Sequence, residues 1–329
     1  MKGDRVKEYF KPILEEYVFD RFTDEFLEKL SAKEVMSGIP VPISMKNFGD
    51  FKTGGVRTID IVRAVSLVLG CDPSFQYKDN YISFLDIVFR GRTEEILLNE
   101  GYSVLSTGDA LRAAAYFRAG LMINPKSLQA MYGYALACRS LYLAGGDEEF
   151  VGRFKAESIE GFELLNEMYP EFAFAYYYLG YAYLNMGLYK KTQLTWLRFL
   201  EKLAQDEYAQ DTDAEKQEIE ERLEELKEPV EIEKAINAVA SGKYVEGMQI
   251  LEVCKDGKHG DWWPMHYYLG IAYECVGMTE EAIQSFKRVL TLYPSHIDSM
   301  DELVAIYHLL GDAENEKKYL QKIQLVQSE

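Results

Sequence analysis

Apolar residues along most of the chain recur every three to four positions, a period that predicts helices rather than strands. Four stretches in the later part of the chain share one spacing and align at a single offset. Within each stretch, apolar residues at positions 4, 7, 8 and 11 form one helix face, position 8 is usually glycine, and position 15 is glycine. The glycines at position 8 are Gly101, Gly180 and Gly270, and those at position 15 are Gly108, Gly187, Gly277 and Gly311.

Each of these positions has a physical reason. A small residue at position 8 lets a second helix cross closely, and glycine at position 15 can end the first helix in a left-handed backbone conformation. A ring follows at position 24, as in Phe117, Trp196 and Phe286, and a proline such as Pro125 or Pro294 stops the second helix. This pattern resembles the tetratricopeptide repeat, a helix–turn–helix unit of about 34 residues.

The resemblance implies six repeats, at 94–127, 128–170, 171–204, 228–261, 262–294 and 295–329. About nine extra residues in the second repeat are expected to lengthen its turn or its second helix. The implied fold is all-α: a right-handed alpha-alpha superhelix with a helical N-terminal cap. The predicted divisions are an N-terminal cap region at 1–93, repeats one to three at 94–204, an acidic spacer at 205–227 and repeats four to six at 228–329.

The spacer is strongly acidic, since residues 206–228 carry 11 acidic and three basic side chains. Ile219, Leu223, Leu226 and Val230 recur in it at helical spacing, which predicts a helix with one apolar stripe. We interpret its charged side as a solvated helix face rather than a dedicated site for a basic partner.

Residues 1–93 do not follow the repeat. Helical patterns predict helices at 4–19, 23–31, 58–69 and 78–90, with Thr58 capping the third helix and Gly70 closing it. The prolines of the sequence GIPVPIS make that segment extended. We expect this region to cover the apolar flank of the first repeat, because the ends of a solenoid need caps.

The charge and the cysteines narrow the possible partners. A formal net charge of −18 argues against binding to nucleic acid and to anionic membrane surfaces. Four cysteines without paired spacing indicate reduced thiols and a cytoplasmic protein. Glu171 and Lys190 bracket 18 uncharged residues, but six tyrosines and the repeat pattern there favour a repeat helix over a membrane span.

The tyrosines of 175–189 divide into two sets. Tyr176, Tyr183 and Tyr189 fall at packing positions, whereas Tyr177 and Tyr181 fall on the opposite face and Tyr178 lies between the two. In the repeat family that opposite face lines the concave groove that holds partner peptides. The resemblance therefore implies a peptide- or protein-binding groove, formed by residues that include Gln129, Tyr132, Arg139, Phe174, Tyr177, Tyr181, Tyr267 and Glu274. The competing interpretation is that these side chains contact only a neighbouring helix.

No chemistry beyond binding is indicated. Lys52–Thr53 lacks the glycine spacing of a phosphate-binding loop, and Cys254, His259, His266 and Cys275 lack the spacing of a zinc finger. We therefore expect no catalytic residues, cofactor or metal, and an unidentified protein or peptide as partner. The sequence leaves the oligomeric state open.

Two alternatives remain. One is a peptide-sensing regulator, which would need a DNA-reading helix; residues 1–70 hold 11 basic and 11 acidic side chains and show no basic recognition helix. The other is an enzyme with its site in the N-terminal 93 residues.

Overall fold

A computed structural model describes residues 4–49, 55–205 and 212–328. The chain forms two compact units, one ending at Leu179 and the other beginning at Gly180. Helices dominate both units, which confirms the predicted all-α class. In the described ranges the only strands are β1 (Tyr17–Arg21) and β2 (Pro40–Ser44).

The first unit begins with short elements around these two strands. A 3-10 helix at Lys7–Phe10 leads into α1, and α2 and α3 lie between the strands. β1 and β2 pair antiparallel, with Tyr17 opposite Ser44 and Arg21 opposite Pro40. The bounds of the helices are α1 (Lys11–Leu14), α2 (Asp24–Lys29) and α3 (Lys33–Met36).

The predicted helix at 4–19 is wrong in its C-terminal part, where the chain enters β1. The aromatic and β-branched residues Tyr17–Phe19 suit a strand, and their partner strand places Val41 and Ile43 in the core. This pairing joins residues 19 to 27 positions apart, so local helical spacing did not predict it. The extended conformation expected for the proline-containing segment is confirmed by β2.

The next helix, α4 (Thr58–Cys71), corrects two predicted caps. Arg57 occupies the N-cap position and its side chain makes no capping hydrogen bond, so Thr58 is not the cap. Gly70 lies inside the helix and does not end it. A Cβ atom on Gly70 would lie 1.8 Å from the carbonyl oxygen of Ala115, so this glycine permits a close helix crossing.

The remaining helices of the first unit include the first two repeats. Successive helices of these repeats pack on one another, and α4 packs on α7. The second helix of repeat two is 21 residues long, whereas that of repeat one has 14 residues. The extra residues therefore lengthen the second helix, which is one of the two outcomes that the sequence predicted. The bounds are α5 (Lys78–Phe89), α6 (Thr93–Ser106), α7 (Ala110–Ile123), α8 (Leu128–Ala144) and α9 (Glu148–Met168).

Helix α10 (Ala173–Leu184) is the first helix of repeat three, and the division between the units falls within it. The second unit continues with successive helices that pack on one another, and α11 contacts both α12 and α13. Residues 206–211 of the predicted acidic spacer lie outside the described residues. The bounds are α11 (Tyr189–Leu203), α12 (Asp213–Glu225), α13 (Lys227–Ala240), α14 (Tyr244–Cys254), α15 (Trp263–Cys275), α16 (Thr279–Leu292), α17 (Ile297–Leu310) and α18 (Ala313–Ser328).

The structure confirms the packing predicted for the glycines at position 8. A Cβ atom on Gly101 would lie 2.8 Å from the Phe117 ring, and one on Gly270 would lie 2.7 Å from the Phe286 ring. In each case the ring comes from the second helix of the same repeat, so glycine and ring form one interlocking pair.

The glycines at position 15 have the predicted left-handed conformation. Gly108, Gly187, Gly277 and Gly311 have φ angles of +90°, +71°, +83° and +71°. The helix–turn–helix pairs, the small residue beneath a ring and the left-handed turn together give these helices the architecture of tetratricopeptide repeats.

Candidate protein-binding faces

The predicted groove residues lie on the first helices of repeats two, three and five. We call the side of a first helix at these repeat positions its first-helix face. On α8 this face begins at Gln129, which is exposed. The Tyr102 hydroxyl donates to the Gln129 backbone oxygen at 3.0 Å and to its side-chain Oε1 at 3.3 Å. A polar contact therefore joins the first helices of repeats one and two at groove positions.

Six aromatic residues of the first unit form a connected set that we call the unit-one aromatic cluster. It comprises Tyr132, Phe162, Phe172, Phe174, Tyr177 and Tyr178. Tyr132 lies edge-on to Phe172 at 5.0 Å between ring centroids, and Tyr177 lies edge-on to Tyr178 at the same separation. Phe162 is fully buried, whereas the other five rings are half-buried.

Tyr178 occupies the middle of this cluster. Its ring stacks on Phe162 with 5.2 Å between centroids and an interplanar angle of 18°, and the Arg139 guanidinium lies 5.1 Å from the ring centroid. The sequence left Tyr178 unassigned because its helical angle falls between the packing face and the groove face. Its central place depends on rings and a cation from other helices, which residue spacing within one helix does not show.

The three tyrosines predicted to be structural contact the chain itself. Tyr183 is 5% exposed, with the Lys191 ammonium 3.8 Å from its ring centroid. The Tyr176 hydroxyl donates to the Pro170 carbonyl at 3.1 Å. Tyr189 lies edge-on to Trp262 at 5.6 Å.

Tyr181 lies against the chain's own acidic helix α12. Its hydroxyl donates to Glu218, the Arg222 guanidinium lies 5.7 Å from its ring centroid, and its ring meets Trp196 edge-on at 5.0 Å. Ile219, on the same helix as Glu218 and Arg222, is fully buried. The neighbouring-helix interpretation therefore describes the contacts of Tyr181, and its place in a partner-binding groove stays a prediction.

The helix α12 has an apolar side, as the spacing of the spacer predicted. Ile219 and Leu226 are buried, Val230 is buried in α13, and Leu223 is half-buried. The helix ends at Glu225, and α13 begins at Lys227, so the apolar stripe continues across a break between two helices.

Repeats five and six have a different first-helix face. The half-buried Tyr267 ring packs against His296 at 5.1 Å and Phe286 at 6.0 Å. Burial, followed by the nearby Glu302 and Asp298 carboxylates, raises the pKa of Tyr267 to about 12. Unlike the Tyr181 face, this one combines a ring with several carboxylates.

Two carboxylates on this face, those of Glu274 and Glu302, are partly desolvated. Burial raises the pKa of Glu274 above its usual value. Burial also raises the pKa of Glu302, with smaller contributions from Glu274, Asp301 and Asp298. These glutamates therefore lose hydration while lying near one another, an arrangement that favours a positively charged neighbour.

Of the cysteine and histidine candidates, Cys254 and His266 have packing roles, whereas Cys275 is exposed and His259 Nδ1 lies 2.7 Å from Glu228 Oε2. Cys254 is buried, and His266 is 8% exposed, with its Nε2 2.6 Å from the Gly260 carbonyl oxygen. The part of the chain that the structure describes contains no group of three or more His, Cys, Asp or Glu residues that could hold a metal ion. Lys52–Thr53 lies outside the described residues. Among the described helices, none has the length and apolar content required to cross a membrane.

The sequence matches no family model, and no curated protein is significantly similar to it. Solved structures resemble the fold at low identity. The P58(IPK) TPR domain is 17% identical over 72% of this chain, with a TM-score of 0.37; the match spans 61% of that domain, less than two thirds of its length.

Two further structures match at similar levels. PilW, a type IV pilus biogenesis factor, is 15% identical over 71% of this chain and 93% of its own, with a TM-score of 0.32. MamA from Desulfovibrio magneticus RS-1 is 14% identical over 71% of this chain and 95% of its own, with a TM-score of 0.27. The repeats are defined by this chain's own helix pairs and by the contacts of their glycines.

Proposed function

We propose that this chain is a non-catalytic scaffold that binds a protein segment or peptide on its first-helix faces. The observation that carries the proposal is the unit-one aromatic cluster, in which Tyr132, Phe174, Tyr177 and Tyr178 are all half-buried. Each of these rings keeps solvent-accessible surface that the fully buried Phe162 lacks. Their remaining accessible surface is available to a partner.

The chemistry of tyrosine suits this role. A tyrosine offers a large rigid surface and a polar hydroxyl while losing little side-chain entropy on binding. The cluster is also held in place before any partner arrives, since the rings contact one another and the fully buried Phe162. Such preorganisation lowers the cost of binding. Gln129 and Arg139 add polar and cationic groups at the same groove positions.

Peptides selected by phage display against the full chain would test this proposal. Tyr177→Ala removes one half-buried ring of the cluster, and truncation of a binding hot spot costs about 2 kcal/mol or more. We therefore expect the affinity of a selected peptide to fall about thirtyfold or more. Fluorescence anisotropy with the labelled peptide gives the affinity.

Phe19→Ala is a matched control, since Phe19 is a 45% exposed ring in the same unit but lies on β1. It should leave the affinity unchanged. Thermal melting of both variants shows whether they remain folded. If folded Tyr177→Ala protein bound the selected peptides like the parent, the cluster would not be the binding surface.

A further inference from the structure

The charges of repeats five and six are separated between their first and second helices. The first helices, α15 and α17, carry four carboxylates and neither lysine nor arginine. The second helices, α16 and α18, carry five lysines and arginines and four carboxylates. We call the first-helix side of these repeats the acidic aromatic face. It is formed by Tyr267, Ile271 and Glu274 of α15 and by Asp298, Asp301 and Glu302 of α17.

Among the described residues, the carboxylates of the acidic aromatic face have no cationic partner. Nearby ion pairs use other residues: Arg288 pairs with Asp261, and His308 lies 3.1 Å from Glu316. Across residues 4–49, 55–205 and 212–328, no lysine or arginine lies within ion-pairing distance of Glu274, Asp298, Asp301 or Glu302. A partly desolvated carboxylate without a partner loses hydration and receives no compensating attraction.

Elsewhere the chain itself places a cation on a first-helix tyrosine. Arg139 lies over Tyr178 at 5.1 Å, and Arg222 lies over Tyr181 at 5.7 Å while Glu218 accepts from the same tyrosine. No cation of the described chain lies over Tyr267. Its face carries a tyrosine beside carboxylates, as the Tyr181 site carries one beside Glu218, but in the described chain it lacks the arginine.

A metal ion fits this face poorly. Metal coordination requires carboxylates that converge on one point, and no such group occurs in the described residues. Guanidinium or ammonium groups carried along a chain match spread carboxylates better, and they also interact favourably with the face of a tyrosine ring.

We propose that the acidic aromatic face binds a basic segment of a partner protein, with an arginine or lysine placed on Tyr267 beside Glu274 and Glu302. This inference rests on the proposed function and specifies the chemistry of the partner. The contact of α12 with Tyr181 indicates the form of such a segment, because Arg222 covers the ring while Ile219, three residues earlier, is buried. A suitable segment therefore carries a basic residue and an apolar residue on one side.

The probe is a labelled 12-residue amphipathic peptide with four arginines and four leucines, titrated with the full chain at about 0.15 M salt, where exposed charges far apart are screened. A second peptide has glutamine in place of every arginine. We expect the arginine peptide to bind at least about tenfold more tightly than the glutamine peptide, because the face supplies unpaired carboxylates.

Two double variants separate a local effect from general attraction to an acidic protein. Glu274→Gln with Glu302→Gln alters the acidic aromatic face. Glu280→Gln with Glu314→Gln alters exposed residues of α16 and α18 and changes the net charge by the same amount. We expect about a tenfold loss of arginine-peptide affinity in the first variant and less than about twofold in the second.

The ring is tested with Tyr267→Leu, which should weaken binding about fivefold, and Tyr267→Phe, which keeps the ring and should bind like the parent. Equal losses from the two double variants would overturn the inference, as would equal affinities for the arginine and glutamine peptides. In either case, a selected peptide that still required Tyr177 would leave the proposed function standing. The two experiments therefore distinguish a failure of the proposed function from a failure of this inference.

Discussion

Tyr181 and Tyr267 lie on first helices of the same unit, and they differ in what covers them. Tyr181 is covered by α12, which supplies Glu218 and Arg222, whereas Tyr267 faces carboxylates and has no covering cation in the described chain. The helix pairs beneath them are alike, since Gly180 lies under Trp196 and Gly270 lies under Phe286. The repeat therefore fixes how each pair of helices packs. The segment between repeats three and four, which contains α12, determines which first-helix face the chain itself covers.

The helix packing that the two repeats share can be disrupted by substituting their glycines. A Cβ atom on Gly180 would lie 2.0 Å from Nε1 of the fully buried Trp196, and one on Gly270 would lie 2.7 Å from the Phe286 ring. Overpacking a core costs about 1–3 kcal/mol. We expect both Gly180→Leu and Gly270→Leu to cost about 3 kcal/mol, measured by urea denaturation.

Gly152→Ala provides the control, because a Cβ atom there meets no atom within 4 Å and alanine favours a helix more than glycine does. This variant should be as stable as the parent or slightly more so. A melting temperature of Gly180→Leu within about a degree of the parent would contradict the assigned repeat positions, since a loss of this size shifts the melting temperature by several degrees.

The packing of α12 over Tyr181 can be weakened by a substitution at Ile219. This residue is fully buried although it lies on the acidic helix, so Ile219→Ala removes core contacts and should cost about 2–4 kcal/mol. The half-buried Leu223 on the same helix offers a comparison, and Leu223→Ala should cost less. Urea denaturation measures both.

Replacing exposed glutamates of α12, such as Glu220, Glu221 and Glu224, with glutamine should leave cooperative unfolding intact, because solvated side chains contribute little to stability. If Ile219→Ala had no effect on stability, α12 would not be part of the folded unit. Loss of a basic partner in the glutamine variant, with stability unchanged, would instead assign a binding role to this helix.

Local rules predicted the features that repeat along the chain. A close helix crossing requires a glycine beneath a ring, and a tight turn requires a glycine with positive φ, so Gly101 and Gly108 identified the helix pairs without any tertiary information. The pairing of β1 with β2 and the crossing at Gly70 were missed because each depends on residues distant in sequence. The covering of Tyr181 is likewise non-local, since Glu218 lies 37 residues away.

Contacts between distant residues also limited what the sequence could predict about the candidate sites. Spacing on one helix placed Tyr177 and Tyr267 on the side away from the repeat's own packing face. It did not show that Tyr178 centres the unit-one aromatic cluster, because Phe162 and Arg139 approach it from other helices. The acidic character of the face around Tyr267 depends on Glu302, which follows in the next repeat and became associated with Tyr267 only in the folded structure.

The smallest expected effect compares the two hydroxyls directly. The Tyr181 hydroxyl donates to Glu218, whereas in the described chain the Tyr267 hydroxyl makes no hydrogen bond. Tyr181→Phe keeps the ring and its contact with Trp196 and removes the hydroxyl, which donates to Glu218 and also interacts with Arg222. Because Glu218 is partly exposed and can be rehydrated, we expect a cost of about 1 kcal/mol. Tyr267→Phe removes no hydrogen bond within the described part of the chain, so its free energy of unfolding should lie within about 0.3 kcal/mol of the parent value. Urea denaturation of the two variants side by side measures this difference. Equal stabilities would show that the Tyr181 hydroxyl adds nothing measurable to the free energy of unfolding, and that other contacts, such as that of the buried Ile219, hold α12 in place.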